Sequence, residues 1–316
     1  HFTKAGEIEI PEEFREKRTQ KSSARLPTTS SRVCVSDNGE EVWLIFNKRL
    51  FRYDIGTMCG EPLLCQPLLN YYNIYGASLS HDSELLAIVL SNQFSIHNRD
   101  GVEQSNLKVD ELSSYVTFSN DDSQMIYGTN DYVNLLDIET LQCISKFRLT
   151  SNSTVAQGKF HPFEDLIAVG TWSRTISFFD PRQENCVFTI PQASSSNIKS
   201  LEFTNEGTLL SGSNDAEIRF WDIKNLDSNT PVSTLIHDTP ILEIFCSDSG
   251  KIVANTRSKM PVWDLNTLEI LDVDFGEVQS GFAKNGYSLV TYDSREESNF
   301  SVYYADVRSK RTKSAN

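Results

Sequence analysis

Seven times along this chain an aromatic or apolar residue is followed by Asp, or once by Asn. The instances are Tyr53-Asp54, His97-Asn98, Leu136-Asp137, Phe179-Asp180, Trp221-Asp222, Trp263-Asp264 and Ala305-Asp306. Successive acid positions lie 44, 39, 43, 42, 42 and 42 residues apart. Between them run short alternating stretches broken by polar turns. The fifth unit reads IKSLEFTNEGTLLSGSNDAEIRFWDIK. An alternating run at 198–203 meets a turn at Asn205-Glu206-Gly207, a second at 208–212 meets Asn214-Asp215, and a third at 217–222 follows. Ser36-Asp37-Asn38-Gly39, Ser80-His81-Asp82, Ser119-Asn120-Asp121-Asp122, His161-Pro162 and Ser247-Asp248-Ser249-Gly250 hold the first-turn place elsewhere. Period-two patterning between polar turns is the signal of strands, and no sustained helical period competes with it. A repeat near 42 residues is the size of one four-stranded propeller blade. The expectation is an all-β, seven-bladed β-propeller over residues 21–307, with an N-terminal extension at 1–20 and a basic tail at 308–316.

Closure of the ring follows from counting strands. After Asp306 no outer strand is left for the last blade, so an N-terminal strand must supply it and remove the open edge. Register favours residues 21–26, with the alternating run 7–10 as second candidate. If the first holds, residues 11–20 form a short helix, with Pro11 at its first position and Glu13 four residues before Lys17.

Composition excludes several classes. With 39% hydrophobic residues among 316, the chain can bury a substantial core. No stretch approaches the ~18 apolar residues of a membrane helix, and residues 1–20 lack the apolar core of a signal peptide. The six cysteines, Cys34, Cys59, Cys65, Cys143, Cys186 and Cys246, form no CxxC pair. That pattern fits reduced thiols, with neither a disulfide framework nor a zinc site. The triplets Asn152-Ser153-Thr154 and Asn299-Phe300-Ser301 are read as chance matches to the glycosylation pattern. Net charge is −14, yet residues 1–30 balance at +1 and Arg308, Lys310, Arg311 and Lys313 add +4, leaving about −19 between them. An acidic body argues against broad charge-driven nucleic-acid binding and leaves room for a local basic face. There is no Gly-rich phosphate loop, HExxH or GxSxG, so no enzyme, cofactor or metal is expected.

A propeller presents its turns in two rings. The ring of turns between second and third strands carries Lys48 and Arg49, Asn130 and Tyr132, Trp172 and Arg174, Arg257 and Lys259, and Arg295 beside Glu296 and Glu297. The loop entering the second unit reaches the same face with Tyr71, Tyr72 and Tyr75. Trp172 stands where the fifth unit has Asn214, an exposed turn position, so it is either a binding residue or packed on a neighbouring loop. Rings interleaved with Arg and Lys suit single-stranded RNA, whose bases stack while cations meet phosphates. An acidic peptide would use the same cations.

Trp221-Asp222 and Trp263-Asp264 give the chain its resemblance to the WD-repeat family, which extends over essentially the whole length. In that family a turn Asp bonds a preceding His and fixes the blade. By resemblance Asp215, and Asp131 more loosely, match that Asp, while His237 matches the His. Trp221 and Trp263 then have structural roles. Within the family, VTFSNDDSQMIYG after Asp110-Glu111-Leu112, AVGTWSRTISFFD and LLSGSNDAEIRFWDIK resemble stretches of the telomerase Cajal body proteins, with weaker echoes at Asn73-Ile74-Tyr75 and Ser95-Ile96-His97. That resemblance implies a nuclear RNA-protein assembly factor, working with small nuclear RNA and the proteins of a multi-subunit complex. A different reading comes from Phe179-Asp180-Pro181-Arg182 and Ala305-Asp306-Val307-Arg308, which resemble the Asp-x-Arg pattern of substrate receptors of cullin-4 ubiquitin ligases. A third is a plain scaffold that binds a peptide across the central channel.

Overall fold

The structure, a computed structural model, describes residues 2–9, 32–46, 49–56, 62–68, 74–90, 93–109, 115–150, 153–183, 185–224, 229–256, 260–271, 279–282, 288–292 and 299–305. Every sheet is antiparallel, and six of them are built from four consecutive strands. The first holds β2 (Arg32–Val35), β3 (Glu41–Phe46), β4 (Arg49–Asp54) and β5 (Leu64–Pro67); β1 (Phe2–Glu9) precedes them and pairs elsewhere. The next holds β6 (Gly76–Leu79), β7 (Leu85–Val89), β8 (Gln93–Asn98) and β9 (Glu103–Lys108). Then come β10 (Val116–Phe118), β11 (Gln124–Gly128), β12 (Tyr132–Asp137) and β13 (Cys143–Arg148). The fourth holds β14 (Val155–Phe160), β15 (Ile167–Thr171), β16 (Ile176–Phe179) and β17 (Cys186–Ile190). The fifth holds β18 (Ile198–Phe203), β19 (Leu209–Ser213), β20 (Glu217–Trp221) and β21 (Ser233–Ile236). The sixth holds β22 (Ile241–Cys246), β23 (Lys251–Thr256), β24 (Val262–Asp264) and β25 (Ile270–Leu271). A composite sheet closes the molecule, combining β26 (Gln279–Phe282), β27 (Ser288–Tyr292) and β28 (Asn299–Ala305) with β1 on its outer edge. First strands of successive sheets touch one another, and β26 meets both β23 and β2, so the described sheets form a closed ring. The chain is an all-β propeller.

The closing strand differs from the favoured expectation. Residues 21–26 lie outside the described residues, as do the expected helix at 11–20 and the basic tail. The edge of β28 is filled instead by β1, from Phe2 opposite Ala305 to Glu9 opposite Asn299. Residues 2–9 therefore belong to the propeller, not to an extension. The register shifts between Lys4 and Gly6. Such a bulge resets the in-out alternation, which is why only the run 7–10 showed it in the sequence.

The core lies between sheets. One buried cluster joins Tyr115, Ile126, Val133 and Phe147 of the third sheet to Val155, Ile167 and Val169 of the fourth. Others join the fourth to the fifth through Phe178, Ile198 and Leu201, and the fifth to the sixth through Leu210, Ile241 and Ile252. Each fully buried Leu- or Phe-sized side chain contributes roughly 1.5–3 kcal/mol. Close approach of sheets also demands small residues. A Cβ on Gly170 would lie 2.7 Å from Ile198, and one on Gly212 2.6 Å from Ile241 and 2.7 Å from Ile244 of the next sheet.

Side chains also reach from one sheet to the next at nearly the repeat spacing. The Leu201 amide donates to Gln157 Oε1 (2.8 Å), the Ile244 amide to Ser200 Oγ (2.9 Å), and Asn120 Nδ2 to the His161 carbonyl (2.8 Å). The first hairpins of five sheets repeat one device. Ser36, Ser80, Ser119 and Ser247 accept the amide four or five residues on, and Thr204 does the same. Ser80 and Ser119 also donate to the Asp two residues on, at 2.7 and 2.6 Å. These side-chain bonds mimic a backbone turn, which explains the recurrent Ser-x-Asp.

Candidate functional site

Antiparallel strands put the hairpins between first and second strands on one face, the lower, and those between second and third strands on the other, the upper. The loops linking one sheet to the next share the upper face. The candidate residues belong to that upper ring. Tyr132 begins β12, and Lys146 Nζ lies 4.1 Å from the centre of its ring. Trp172 sits in the hairpin after β15, and its amide donates to the Thr154 carbonyl (3.0 Å). Its side chain is 46% exposed, and Lys199 Nζ lies 4.7 Å from the ring centre. Arg174, two residues on, is exposed with a left-handed φ of 69°. The Arg174 carbonyl accepts the Ala193 amide (2.8 Å), which pins the turn to the loop entering the fifth sheet. A non-glycine residue in this region costs energy unless its surroundings hold it.

Hydrogen bonds join these residues across three sheets. Thr154 Oγ1 donates to Asn130 Oδ1 (3.2 Å), and the Ser173 amide donates to Ser153 Oγ (2.9 Å). The loop entering the fourth sheet thus holds the Tyr132 and Trp172 hairpins together. Arg49 and Tyr75 lie on a separate arc of the ring. Tyr75 is 44% exposed, and its carbonyl accepts from Arg32 (2.7 Å). Lys48, Tyr71, Tyr72, Arg257, Lys259 and Arg295 to Glu297 lie outside the described residues.

Two cations were not found by reading turns, Lys146 and Lys199. One is on the outer strand β13 and the other on the innermost strand β18. The pairing of Tyr132 with Arg148 and of Asn134 with Lys146 sets Lys146 diagonally from Tyr132, within reach of its ring. Strand register was the signal that could have located it. Each exposed cation–π contact is worth ~0.5–1 kcal/mol and holds the ring in place.

The blade-fixing residues depart from the family pattern. Asp215 accepts from the amide and hydroxyl of Ser195 (both 2.9 Å) and from Arg219 (2.8 Å), not from a His. Burial raises its pKa, but the bonds from Arg219 and Ser195 outweigh that and hold it below the usual carboxylate range. His237 Nδ1 accepts the Thr239 amide (3.2 Å), and its ring meets Trp263 edge-on at 6.1 Å. Trp221 Nε1 donates to Ser211 Oγ (2.8 Å). Packing and these substitutes do the work of the His-Asp pair.

Arg182 of the Asp-x-Arg pattern is turned back on its own blade. Its Nε and one terminal nitrogen grip both oxygens of Asp180 at 2.9 Å, and the other terminal nitrogen lies 3.4 Å from Asp165. Those bonds hold the Asp180 carboxyl well below the usual range. Arg308 lies outside the described residues. Of the cysteines, Cys34, Cys143, Cys186 and Cys246 are free. Burial first, and nearby carboxylates second, push the Cys34 and Cys246 thiols up to about 12, which makes them poor nucleophiles.

Residues 184–222 match the family described as WD domain, G-beta repeat. The chain is also similar to the U3 small nucleolar RNA-associated protein 12 of Saccharomyces cerevisiae, with 30% identity over 135 residues. That match covers 40% of this chain and 14% of the yeast protein. Fold and comparison agree on an all-β propeller that carries a WD repeat.

Proposed function

We propose that this propeller is a non-catalytic scaffold of a nuclear RNA-protein particle, and that its upper face takes single-stranded RNA. The carrying observation is Trp172, a tryptophan nearly half exposed on a turn, steadied by Lys199 and flanked by Arg174. Tyr132 with Lys146 offers a second ring and cation on the adjoining hairpin. Stacking platforms set among cations bind unpaired bases and their phosphates. Similarity to a protein named for its association with a small nucleolar RNA supports the class of partner. The resemblance to telomerase Cajal body proteins points to the same class, a small structured RNA inside a multi-subunit particle. No observation favours the ligase-receptor reading, since Arg182 is engaged by Asp180 and Asp165.

The test is binding to a panel of small nuclear and small nucleolar RNAs across a salt series. Affinity should fall as salt rises, as it does when phosphates are neutralised. Trp172→Ala should weaken binding by ~1–3 kcal/mol, the worth of one stacked base, and Arg174→Glu should flatten the salt slope. Absent binding, or binding that ignores both substitutions, overturns the reading.

A further inference from the structure

The lower face has the opposite character. Its six described first hairpins, residues 36–40, 80–84, 119–123, 161–166, 204–208 and 247–250, contain ten Asp or Glu and no Lys or Arg. Arg99 from a neighbouring loop pairs with Glu84 (2.9 Å), and Arg182 lies against Asp165, both toward the outside of the ring. At the centre of this face the channel opens as a cavity of about 550 Å³. Asp37, Asp248, Glu202, Lys159 and the rings of Phe160 and Phe203 are part of its wall. Phe163, also on the wall, is 72% exposed, the largest exposure of any aromatic among the described residues.

The cavity already holds one ammonium group of the chain itself. Lys159 Nζ bonds Glu202 at 2.8 Å. Burial works against its charge, but Glu202, Glu243 and Asp37 together outweigh that and keep it protonated. At Asp121, bonds from Ser119 and Ser123 hold the carboxyl below its ordinary range. An exposed ring at the edge of a concave site, set among hairpins whose own charges are all acidic, is how a protein interface presents an anchor pocket and selects its partner by charge. The same field repels phosphates, so nucleic acid is the wrong occupant here.

We infer that the lower channel mouth docks a lysine- or arginine-bearing segment of a partner protein. An apolar side chain of that segment packs on Phe163 and the channel phenylalanines, and its cations face Asp248 and Asp37. The inference does not rest on the RNA reading, because it uses the opposite face. A propeller so built joins a basic protein segment below to another ligand above.

The experiment selects from a displayed library of random short peptides with the full chain, in the presence and absence of saturating oligouridylate. Peptides that are net positive and carry at least one large apolar residue should be enriched, equally with and without RNA. Binding of the best peptide should weaken about tenfold or more in Phe163→Ala combined with Asp248→Lys, as loss of an exposed aromatic anchor and a reversed charge predict. Arg174→Glu on the upper face should leave it unchanged. The double variant's thermal unfolding should match the parent's, because Phe163 contributes little to the core. Enrichment of neutral or acidic peptides, or peptide binding indifferent to the double variant, overturns the inference. Competition between peptide and oligouridylate, with loss of both in Trp172→Ala, overturns it while leaving the RNA reading standing.

Discussion

The two faces of this propeller are made from the same kind of hairpin and differ in what fixes their residues. On the lower face the turns are stereotyped. Ser or Thr receives the returning amide, and an Asp or Asn two residues on often locks the bend, as at Ser36-Asn38, Ser80-Asp82 and Ser119-Asp121. Its acidity is largely a by-product of that turn chemistry. On the upper face Thr129 and Thr171 also receive a returning amide, and Asn-Asp recurs at 130–131 and 214–215, but Trp172-Ser173-Arg174 between them breaks the pattern. Where the fold dictates less, individual side chains can be chosen for contact with something else.

Three substitutions or conditions probe that contrast. The largest effect is expected where the upper end stops being free. Gly212 sits one residue inside β19, jammed against Ile241 and Ile244. Gly212→Val should destabilise the chain by ~3 kcal/mol or more through overpacking, seen as a lowered midpoint in urea unfolding. An unchanged midpoint would mean that the sheets can slide apart there. A smaller effect is expected at a stereotyped lower turn. Ser119→Ala removes the acceptor of the Gln124 amide and the donor to Asp121. It should cost about 1 kcal/mol in the same assay and leave RNA and peptide binding as they were.

The smallest effect is a pH dependence confined to the lower end. His161 Nδ1 accepts the amides of Phe163 (3.1 Å) and Glu164 (2.9 Å), and His97 is buried beside Gly101. Burial is the main cause that lowers the pKa of both. The unfolded chain therefore takes up protons that the folded chain refuses once pH drops below ~6.5. Their contribution to stability is complete above that pH and is lost as pH falls toward the depressed folded values. Protection against hydrogen exchange, corrected for the intrinsic pH dependence of the rate, should fall at the His161 and Gly207 hairpins between neutral pH and pH ~5.5 before it falls at Trp172. Simultaneous onset on both faces would count against this assignment.

The repeat was legible because each blade must spend a full antiparallel sheet, and the Trp221-Asp222 and Trp263-Asp264 steps mark the third strand each time. The lower turns were legible for the chemical reason given above. The closing strand was harder to read. An outermost strand is bonded along one edge only, and the bulge between Lys4 and Gly6 broke the alternation that would have betrayed it. The exposure of Trp172 was legible because a tryptophan in a turn has no core to enter. Lys199 and Lys146 were missed because their roles depend on which strands lie side by side, and one repeat unit read alone does not contain that. The partner of Asp215 was not legible for a related reason: Ser195 serves where the family pattern has His, and a hydroxyl in a Ser-rich loop carries no distinguishing mark.

Phe2 faces Ala305 in one ladder, so the first and last described strands fasten to each other like a belt to its buckle. Of all the pairings this one spans the longest stretch of chain, and the entropy lost in closing a loop grows with its length. During synthesis the other blades can form while the buckle stays undone, and β1 waits without its partner until β28 has been made. Tension applied between those two strands would load this ladder before any other part of the ring.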